Sequence, residues 1–466
     1  MLTFIQVLVL AFHFSDSLAH ETISCRPEIK TPMPDLNYLV GVHDAEVTHP
    51  REDQLRVMGN RAAQLCKVLR DSAEAQKEAE GNSKEWGWWK EVEGKQMASS
   101  PTFGAICNAD QNYQEFAAIS KVFMATDLVW GFMGGLPPIT NDTETPVLAT
   151  IREFDGFFRL GESLACRHVY SPEHAGFAWD VISMDIPSQF DCMERVLGDL
   201  SPPVFGARGY GLKVSKDRIF FNRHATAVNI ARSVKNLLNK HPDLKGTVCE
   251  IGGGAGYLAY YSLKMGVPKY LVVDITLALM TQFFVLFPEY GDDVLLMTDN
   301  STKPFERRVT LLHTHLFPWF DFNGCDIVVN MDSFPEMPES VAEAYAEKLN
   351  KSSTVRFFLS ENQESRVSTD WTAPNKDAPF SRQIDVRAVA IKHGMTSIER
   401  KLSWLRMGYV EELFVVNELA AAPAIGSHKP SEPDMDKGCN ATPNQMPNIH
   451  LLVLLVVIAV FLRKWR

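Results

Sequence analysis

The stretch of sequence that decides the fold is "VCEIGGGAG", residues 248–256, followed by "KYLVVD", residues 269–274. The first piece is a short apolar run that leads into glycines, and the second is an apolar run that ends in an acid. Apolar strands that alternate with helices predict a parallel sheet covered on both faces. A glycine-rich turn after the first strand brings the backbone close to a nucleotide-like ligand. The segment therefore predicts the ligand-binding end of an α/β sheet.

The spacing of the glycines and the two acids indicate which ligand binds there. Gly252, Gly254 and Gly256 alternate as G-x-G-x-G, whereas the dinucleotide motif G-x-G-x-x-G places a diphosphate on a helix N-terminus. Glu250, just before the glycines, would repel a diphosphate but would suit a cation such as a sulfonium, which it would face directly or through backbone and water. Asp274, which closes the second strand, is placed to accept the hydroxyls of a ribose. These five residues predict a site for the cofactor S-adenosyl-L-methionine (SAM), and the glycine spacing disfavours an NAD-linked oxidoreductase.

The segments that follow predict the rest of the sheet. Apolar runs predict strands at 325–330 and 354–360, and residues 294–297 and 308–313 are competing candidates for the third strand. Pro288 is expected to end the helix before them. The segment "WLRMGYVEELFVV" is a candidate for the last, antiparallel strands.

Shifts in composition divide the chain into segments. The sheet domain is predicted at 206–420, and a mainly helical N-terminal accessory region precedes it, with helical spacing of apolar residues from position 51 onward. The remaining predicted segments are a signal peptide at 1–19, the accessory region at 20–205, a Pro/Gly/polar stalk at 421–448, a transmembrane anchor at 449–462 and a basic tail at 463–466.

Both ends of the chain predict a membrane setting. An apolar run followed by Ser17 and Ala19 is typical of a signal peptide cleaved after Ala19, with an uncleaved anchor or a buried first helix as the alternative. The apolar run near the other end, followed by "RKWR", predicts a single-pass anchor with its basic side in the cytoplasm. A glycolipid anchor is the alternative, which the basic end disfavours. The predicted location is a secretory-pathway membrane (ER, Golgi or cell surface), with the body of the protein lumenal or extracellular.

Glycosylation motifs and cysteines agree with that location. N-glycans are possible at four N-x-S/T motifs, Asn141, Asn300, Asn350 and Asn440. The chain has eight cysteines, which an oxidising compartment would pair. Cys249 and Cys325 fall in predicted core strands and are expected to be buried thiols. The other six allow about 15 pairings: Cys25, Cys66, Cys107, Cys166, Cys192 and Cys439.

Charge limits the class of partner. The formal net charge is -11, with 45% hydrophobic and 22% charged residues, which is typical of a folded globular protein. No basic block interrupts the folded part, so nucleic acid is not an expected partner.

The motifs together resemble a known family. The segment "VCEIGGGAGYLAYYSLKMGVPKYLVVDI" resembles motifs I and II of class I SAM-dependent methyltransferases, which have a Rossmann-like, seven-stranded α/β domain. With "DIVVNMDSFPEM" at Asp326–Met337 and "FFLSENQES" at Phe357–Ser365, the chain is similar to the sugar O-methyltransferase family over roughly residues 206 to 418. The resemblance implies methyl transfer to a hydroxyl of a sugar or glycan. The predicted signal peptide and anchor depart from the mostly soluble pattern of that family.

Methyl transfer to a hydroxyl needs a group that removes the proton, and the candidates follow the fourth strand. Asp332 and Glu336, with Asn330 for orientation, would be a proton-accepting pair or ligands for Mg²⁺ as a possible second cofactor. The structural alternatives are a helix N-cap for Asp332 and a solvated first-turn acid for Glu336. His313 is a third catalytic candidate, and with His315 it would otherwise be a pair of hydrogen-bonded loop histidines.

Two functions from different classes follow. The first is a membrane-anchored SAM-dependent O-methyltransferase acting on a carbohydrate or glycan. The alternative is a non-catalytic lumenal or cell-surface protein that retains a methyltransferase fold for binding.

Overall fold

The computed structural model of the chain describes part of its length, in thirteen separate pieces. These are residues 39–40, 52–80, 94, 97–120, 123, 126–129, 144–167, 186–203, 211–215, 218–220, 222–297, 303–364 and 384–416. The predicted signal peptide, stalk, anchor and basic tail lie outside the described residues, as do the glycosylation motifs at Asn141, Asn300 and Asn440. Within the described part of the chain, no helix is long and apolar enough to cross a membrane.

The central element is an eight-stranded sheet, with a small antiparallel sheet of three short strands in addition. The small sheet consists of β1 (Leu39–Val40), β2 (Gly211–Ser215) and β3 (Arg218–Phe220). The large sheet consists of β4 (Thr247–Ile251), β5 (Lys269–Asp274), β6 (Val294–Met297), β7 (Val309–His313), β8 (Ile327–Met331), β9 (Phe357–Gln363), β10 (Thr396–Leu402) and β11 (Tyr409–Val415).

The strand order of the large sheet is β10-β11-β9-β8-β4-β5-β7-β6. Strands β4 to β9 pair in parallel, and β11 and β10 add antiparallel at one end. After β4 the chain forms β5, β6 and β7 on one side of β4, and it then forms β8 on the opposite side. This reversal next to β4 is where ligands bind in open α/β sheets, at the carboxyl ends of the strands. The predicted Rossmann-like α/β architecture is confirmed.

The strand count differs from the predicted seven. Both candidates for the third strand form: residues 309–313 lie beside β5 as β7, and residues 294–297 pair outside them as the edge strand β6. The two candidates are therefore neighbours rather than alternatives. At the other edge, β10 was not predicted, because its sequence "TSIERKL" is largely exposed and lacks an apolar run.

Ten α-helices lie in the described residues. They are α1 (Glu52–Glu80), α2 (Pro101–Cys107), α3 (Tyr113–Ser120), α4 (Glu144–Ser163), α5 (Ile186–Leu197), α6 (Asn222–Lys240), α7 (Tyr257–Lys264), α8 (Thr276–Tyr290), α9 (Glu339–Lys351) and α10 (Val386–Lys392). The expectation that Pro288 ends its helix was wrong by two residues, because α8 continues to Tyr290 and Gly291 follows as its C-cap. A proline in the last turn leaves most of the preceding hydrogen bonds intact.

Each face of the large sheet has its own hydrophobic core. Helices α6, α7 and α8 cover one face, where alternate strand residues such as Val248 and Val272 point. Helices α9 and α10 cover the other face, with Leu271 and Val328. The N-terminal helices share the first core: Phe123 stacks on Phe284 of α8 with ring centroids 4.0 Å apart.

Three disulfides join cysteines of the described residues: Cys66–Cys107, Cys166–Cys192 and Cys249–Cys325. The last pair corrects the expectation of two buried thiols. Cys249 lies in β4, and Cys325 just precedes the neighbouring strand β8, with their Cα atoms 5.8 Å apart. That separation suits a disulfide. Cys25 and Cys439 lie outside the described residues.

Candidate active site

The glycine turn after β4 has a backbone that requires glycine at two positions in particular. Gly252 has φ 71° and Gly256 has φ 81°, both in the left-handed region that favours glycine. A Cβ on Gly252 would collide with Ser333, and one on Gly256 would lie 3.1 Å from Cγ of Gln282. Gly254 also has a positive φ, of 52°. The turn is therefore fixed by its glycines, and its backbone forms part of a cavity wall.

Asp274 closes β5 and lines the same cavity. Its Oδ2 accepts hydrogen bonds from the backbone N–H of Gly254 (3.1 Å) and from Nε2 of Gln282 (2.7 Å), and its Oδ1 accepts one from the N–H of Ile275 (2.8 Å). Burial raises the pKa of Asp274 to about 7, although these hydrogen bonds oppose the shift. The carboxyl group is thus held at the cavity wall by three hydrogen bonds, and its role in binding a ribose stays a prediction.

Glu250 does not face the cavity directly, which was one of its two predicted arrangements. Its side chain is fully buried behind the glycine turn, where Oε2 accepts a hydrogen bond from Tyr270 Oη at 3.1 Å. The cavity wall does not include it. Burial, and then the nearby Asp274, raise the pKa of Glu250 to about 8, so the group is mostly neutral at pH 7. The reason is that the side chain of Glu250, two residues before Gly252, points into the core of the sheet and not toward its carboxyl end.

The cavity lies over the carboxyl ends of β4, β5 and β8. The glycine turn, Asp274 and Ile275 line it where β4 and β5 end, and Asp332 and Glu336 line it after β8. The lining also includes Arg223, Thr226, Met331, Ser333, Met337 and Arg406. Apolar side chains, a backbone turn and an acid at the end of β5 fit a nucleoside such as that of SAM.

Asp332 is held by cations and is not a helix N-cap. Its Oδ2 lies 2.7 Å from Nη2 of Arg406 and 3.4 Å from Nη1 of Arg223, and its Oδ1 accepts a hydrogen bond from Tyr409 Oη at 2.8 Å. Its backbone has φ 69°, which is uncommon for a residue other than glycine. Because both carboxylate oxygens are committed, Asp332 orients its neighbours and is a poor candidate for the proton acceptor.

Glu336 is better placed to accept a proton. It ends the 3₁₀ turn Phe334–Glu336 and lines the cavity, and no hydrogen bond to its carboxyl group occurs among the described residues. Burial, and then the charge of Asp332, raise its pKa to about 7, while Arg223 and Arg406 oppose the shift. The expected alternative of a solvated first-turn acid is therefore wrong, since the carboxyl group is largely desolvated.

Asn330 hydrogen-bonds to the turn Phe334–Glu336 that carries Glu336. Its Nδ2 donates to the carbonyl oxygen of Ile251 at 2.8 Å, and its Oδ1 accepts from the N–H of Phe334 and from Asn362. The side chain is fully buried. It thus joins the end of β4 to the turn that carries Glu336, and its role in orienting the catalytic groups stays a prediction.

His313 does not reach the cavity. It is buried at the end of β7, where Nε2 lies 3.0 Å from Oγ1 of Thr276 and Nδ1 contacts Nδ1 of His315. The next residue, Thr314, lines the cavity instead. The predicted catalytic role of His313 is therefore not supported, and the alternative of a hydrogen-bonded histidine pair describes the geometry.

The donor set does not fit the Mg²⁺ alternative. A hard cation needs free carboxylate oxygens, and those of Asp332 are occupied by two guanidinium groups and a phenol hydroxyl. In the part of the chain that the structure describes, no group of three His, Cys, Asp or Glu side chains is arranged to hold a metal ion.

Four residues of the site were not predicted: Arg223, Gln282, Arg406 and Tyr409. Gln282 had a readable signal, because it is a fully buried amide in the otherwise mostly apolar helix α8. Arg223 comes from the start of α6, Arg406 comes from the turn between β10 and β11, and Tyr409 is the first residue of β11. Nothing in those segments alone indicates that they converge on Asp332.

Comparisons with known proteins give similarity to methyltransferase structures. Human N-acetylserotonin methyltransferase in complex with SAM is 15% identical, with 42% of this chain and 53% of that chain covered and a TM-score of 0.25. Magnesium protoporphyrin IX methyltransferase from Synechocystis PCC 6803 with bound SAH is 14% identical, with 41% and 84% covered and a TM-score of 0.29.

The chain thus spans about half the length of the human enzyme. At these identities and TM-scores the similarity bears on neither substrate nor cofactor, and the strand order above rests on this chain alone. No protein-family model matches the chain, and no curated protein matches it.

Proposed function

We propose that the chain is a SAM-dependent methyltransferase that transfers a methyl group to a hydroxyl of a sugar or glycan. One observation carries the proposal: a single cavity has a glycine turn and Asp274 at one end and the desolvated carboxyl group of Glu336 at the other. The first end suits a nucleoside and the second suits proton transfer. The sugar as acceptor rests on the resemblance of the motifs at 248–275, 326–337 and 357–365 to sugar O-methyltransferases.

The residues of the chain divide the work between binding and proton transfer. When bound, SAM supplies a methyl group already activated on a sulfonium. Asp274 accepts hydrogen bonds from the ribose, and the glycine turn allows the backbone to approach. Glu336 would accept the proton of the acceptor hydroxyl, while SAM would supply the methyl carbon to that oxygen and keep on its sulfur the electron pair of the carbon–sulfur bond. A base with a pKa near the working pH is the most effective for such a step.

The secretory pathway is part of the proposal. Three disulfides among the described cysteines support it, because such bonds persist in oxidising compartments. The membrane anchor and the N-glycans remain predictions from the sequence; among the four motifs, Asn350 is within the described residues, exposed near the end of α9.

Isothermal titration of the full chain with SAM tests whether the chain binds this cofactor. Asp274→Ala is expected to weaken SAM binding by roughly 10–100-fold, since hydrogen bonds to a charged group contribute about 1.5–3 kcal/mol. Asp293→Ala, an exposed acid on the surface, is the matched control and should bind SAM like the parent. Absence of SAM binding to the parent, or equal binding by Asp274→Ala, would refute the proposal.

Incubation with methyl-labelled SAM and a panel of sugars tests the reaction. Label in a sugar ether supports the enzyme. SAM binding without any labelled product across the panel would favour the non-catalytic alternative.

A further inference from the structure

Two guanidinium groups converge on the acceptor side of the cavity. Arg223 comes from the first turn of α6, and Arg406 comes from the turn between β10 and β11. Both line the cavity and both contact the same atom, Oδ2 of Asp332. Their side chains are 31% and 17% exposed, so they are shielded from bulk water but open to the cavity.

One carboxylate contacts both arginines. Asp332 accepts from Arg223 and from Arg406 on the same oxygen, so neither guanidinium group has a carboxylate partner of its own among the described residues. Two further acids lie nearby without a hydrogen bond to either arginine: Glu336 lines the cavity, and Glu361 accepts a hydrogen bond from Ser403.

The donors of Arg223 are mostly unused. Its one side-chain hydrogen bond among the described residues is the 3.4 Å contact with Asp332, whereas a guanidinium group has five N–H donors. Arg406 is held more firmly, at 2.7 Å from Asp332 and with its guanidinium 3.5 Å from the centroid of the Tyr409 ring. A fixed Arg406 beside a guanidinium with spare donors is suited to a planar anion, which arginine binds through two parallel hydrogen bonds.

The position of Arg223 and Arg406 in the cavity indicates which ligand they bind. The ribose end of the cavity is at Asp274, on β5, and β4 lies between β5 and β8 in the sheet. Asp332 and Glu336 follow β8, on the far side of the glycine turn. An anion bound by Arg223 there would lie beside the proton acceptor. The rival ligand is the carboxylate of the methionine part of SAM, and the two make different predictions for binding.

We propose that the acceptor is an acidic sugar of the uronic acid class, whose carboxylate Arg223 binds with Arg406 while a hydroxyl of the same ring faces Glu336. The proposal rests on the proposed methyltransferase function and deepens it by naming the acceptor class. The two arginines recognise the sugar by its carboxylate. The product is a methyl ether on a ring that keeps its free acid.

The test uses two methyl glycosides that differ only at C6, methyl β-glucuronoside and methyl β-glucoside. Their binding to the full chain is measured by isothermal titration in the presence of saturating S-adenosylhomocysteine, and their methylation with labelled SAM. The uronoside is expected to bind at least 10-fold more tightly than the glucoside. Equal binding would overturn the proposal, and tighter binding of glucose 6-phosphate than of the uronoside would reject the carboxylate as the anion.

Arg223→Gln separates the two ligands that Arg223 could serve. This variant is expected to lose roughly 10–100-fold in affinity for the uronoside, with binding of the glucoside and of SAM within about two-fold of the parent. Asp332 keeps Arg406 and Tyr409 as partners, so the fold is retained. Arg307→Gln, at an exposed position, is the matched control and should leave all three affinities unchanged. Weaker SAM binding with an unchanged preference between the sugars would assign Arg223 to the methionine carboxylate and overturn the proposal.

The product gives a further check. Label released by mild alkali would come from a methyl ester. That result would make the carboxylate the methyl acceptor and not the group that the arginines bind. If the parent chain bound no SAM, the proposed methyltransferase function itself would be refuted. If it bound SAM but showed no preference for the acidic sugar, only the proposed acceptor class would be refuted.

Discussion

The two ends of the cavity are built in different ways. The end proposed to bind SAM consists of a backbone turn and one acid, all within residues 252–274, and its shape depends on glycines in left-handed conformations. The acceptor end consists of side chains from three distant segments, represented by Arg223, Asp332 and Arg406. A ligand that all enzymes of one chemistry share can be bound by a local motif. A ligand that distinguishes this chain from others is expected to be bound by residues that converge only in the folded state.

The largest expected effect is on the acceptor end. Glu336→Gln should lower the methylation rate by roughly 10²–10⁴-fold, since this is what a positioned base contributes, while SAM affinity stays within about two-fold of the parent. The parent rate should rise through about pH 7, where Glu336 loses its proton, and this rise should be absent in the variant. Rate measurements from pH 5 to 9 with Glu339→Gln, an exposed neighbour, as the control check both points. An unchanged rate would remove Glu336 from the reaction.

Glu250 tests whether an acid at the SAM-binding end is a ligand or part of the core. Its raised pKa means that the folded state binds the proton more tightly than the unfolded state, so stability falls as pH rises from about 4.5 to about 8. Glu250→Gln should remove that loss, and its stability advantage should grow by about 1.4 kcal/mol per pH unit in this window and level off above it. Urea unfolding at pH 5 to 9 measures the trend, and SAM affinity should be unchanged. A strong loss of SAM affinity would restore Glu250 as a ligand.

The smallest expected effect concerns the backbone of the glycine turn. Gly252→Ala and Gly266→Ala both place an alanine at positive φ, which costs about 1–2 kcal/mol of stability. Only the first also meets a neighbour, Ser333, since nothing lies within 4 Å of a Cβ on Gly266. Gly252→Ala should therefore be the less stable of the two by denaturant unfolding and should alone weaken SAM binding. Equal behaviour would mean that the turn tolerates a side chain.

The same contrast explains what the sequence could predict. The strand–turn–helix segment, β7, β8, β9 and helix α9 were readable, because each is specified by an apolar pattern over a few neighbouring residues. Strand β10 was missed, because an exposed edge strand has no apolar run. The side of the strand end to which Glu250 points was misjudged, since register depends on pairing with β5 and β8. The convergence of Arg223 and Arg406 on Asp332 depends on contacts over 109 and 74 residues of sequence, which no local pattern encodes.

The bond between Cys249 and Cys325 has a consequence for how the two ends of the cavity stay aligned. It closes a ring of chain with a sequence separation of 76 residues, and that ring contains the glycine turn and Asp274, while Asp332 and Glu336 follow directly outside it. Constraining a ring of this length in the unfolded chain stabilises the native state by about 4 kcal/mol in the chain-entropy description. A reduced chain would keep the nucleoside end in register with the acceptor end only by non-covalent contacts, which include strand pairing and the hydrogen bond from Asn330 to Ile251.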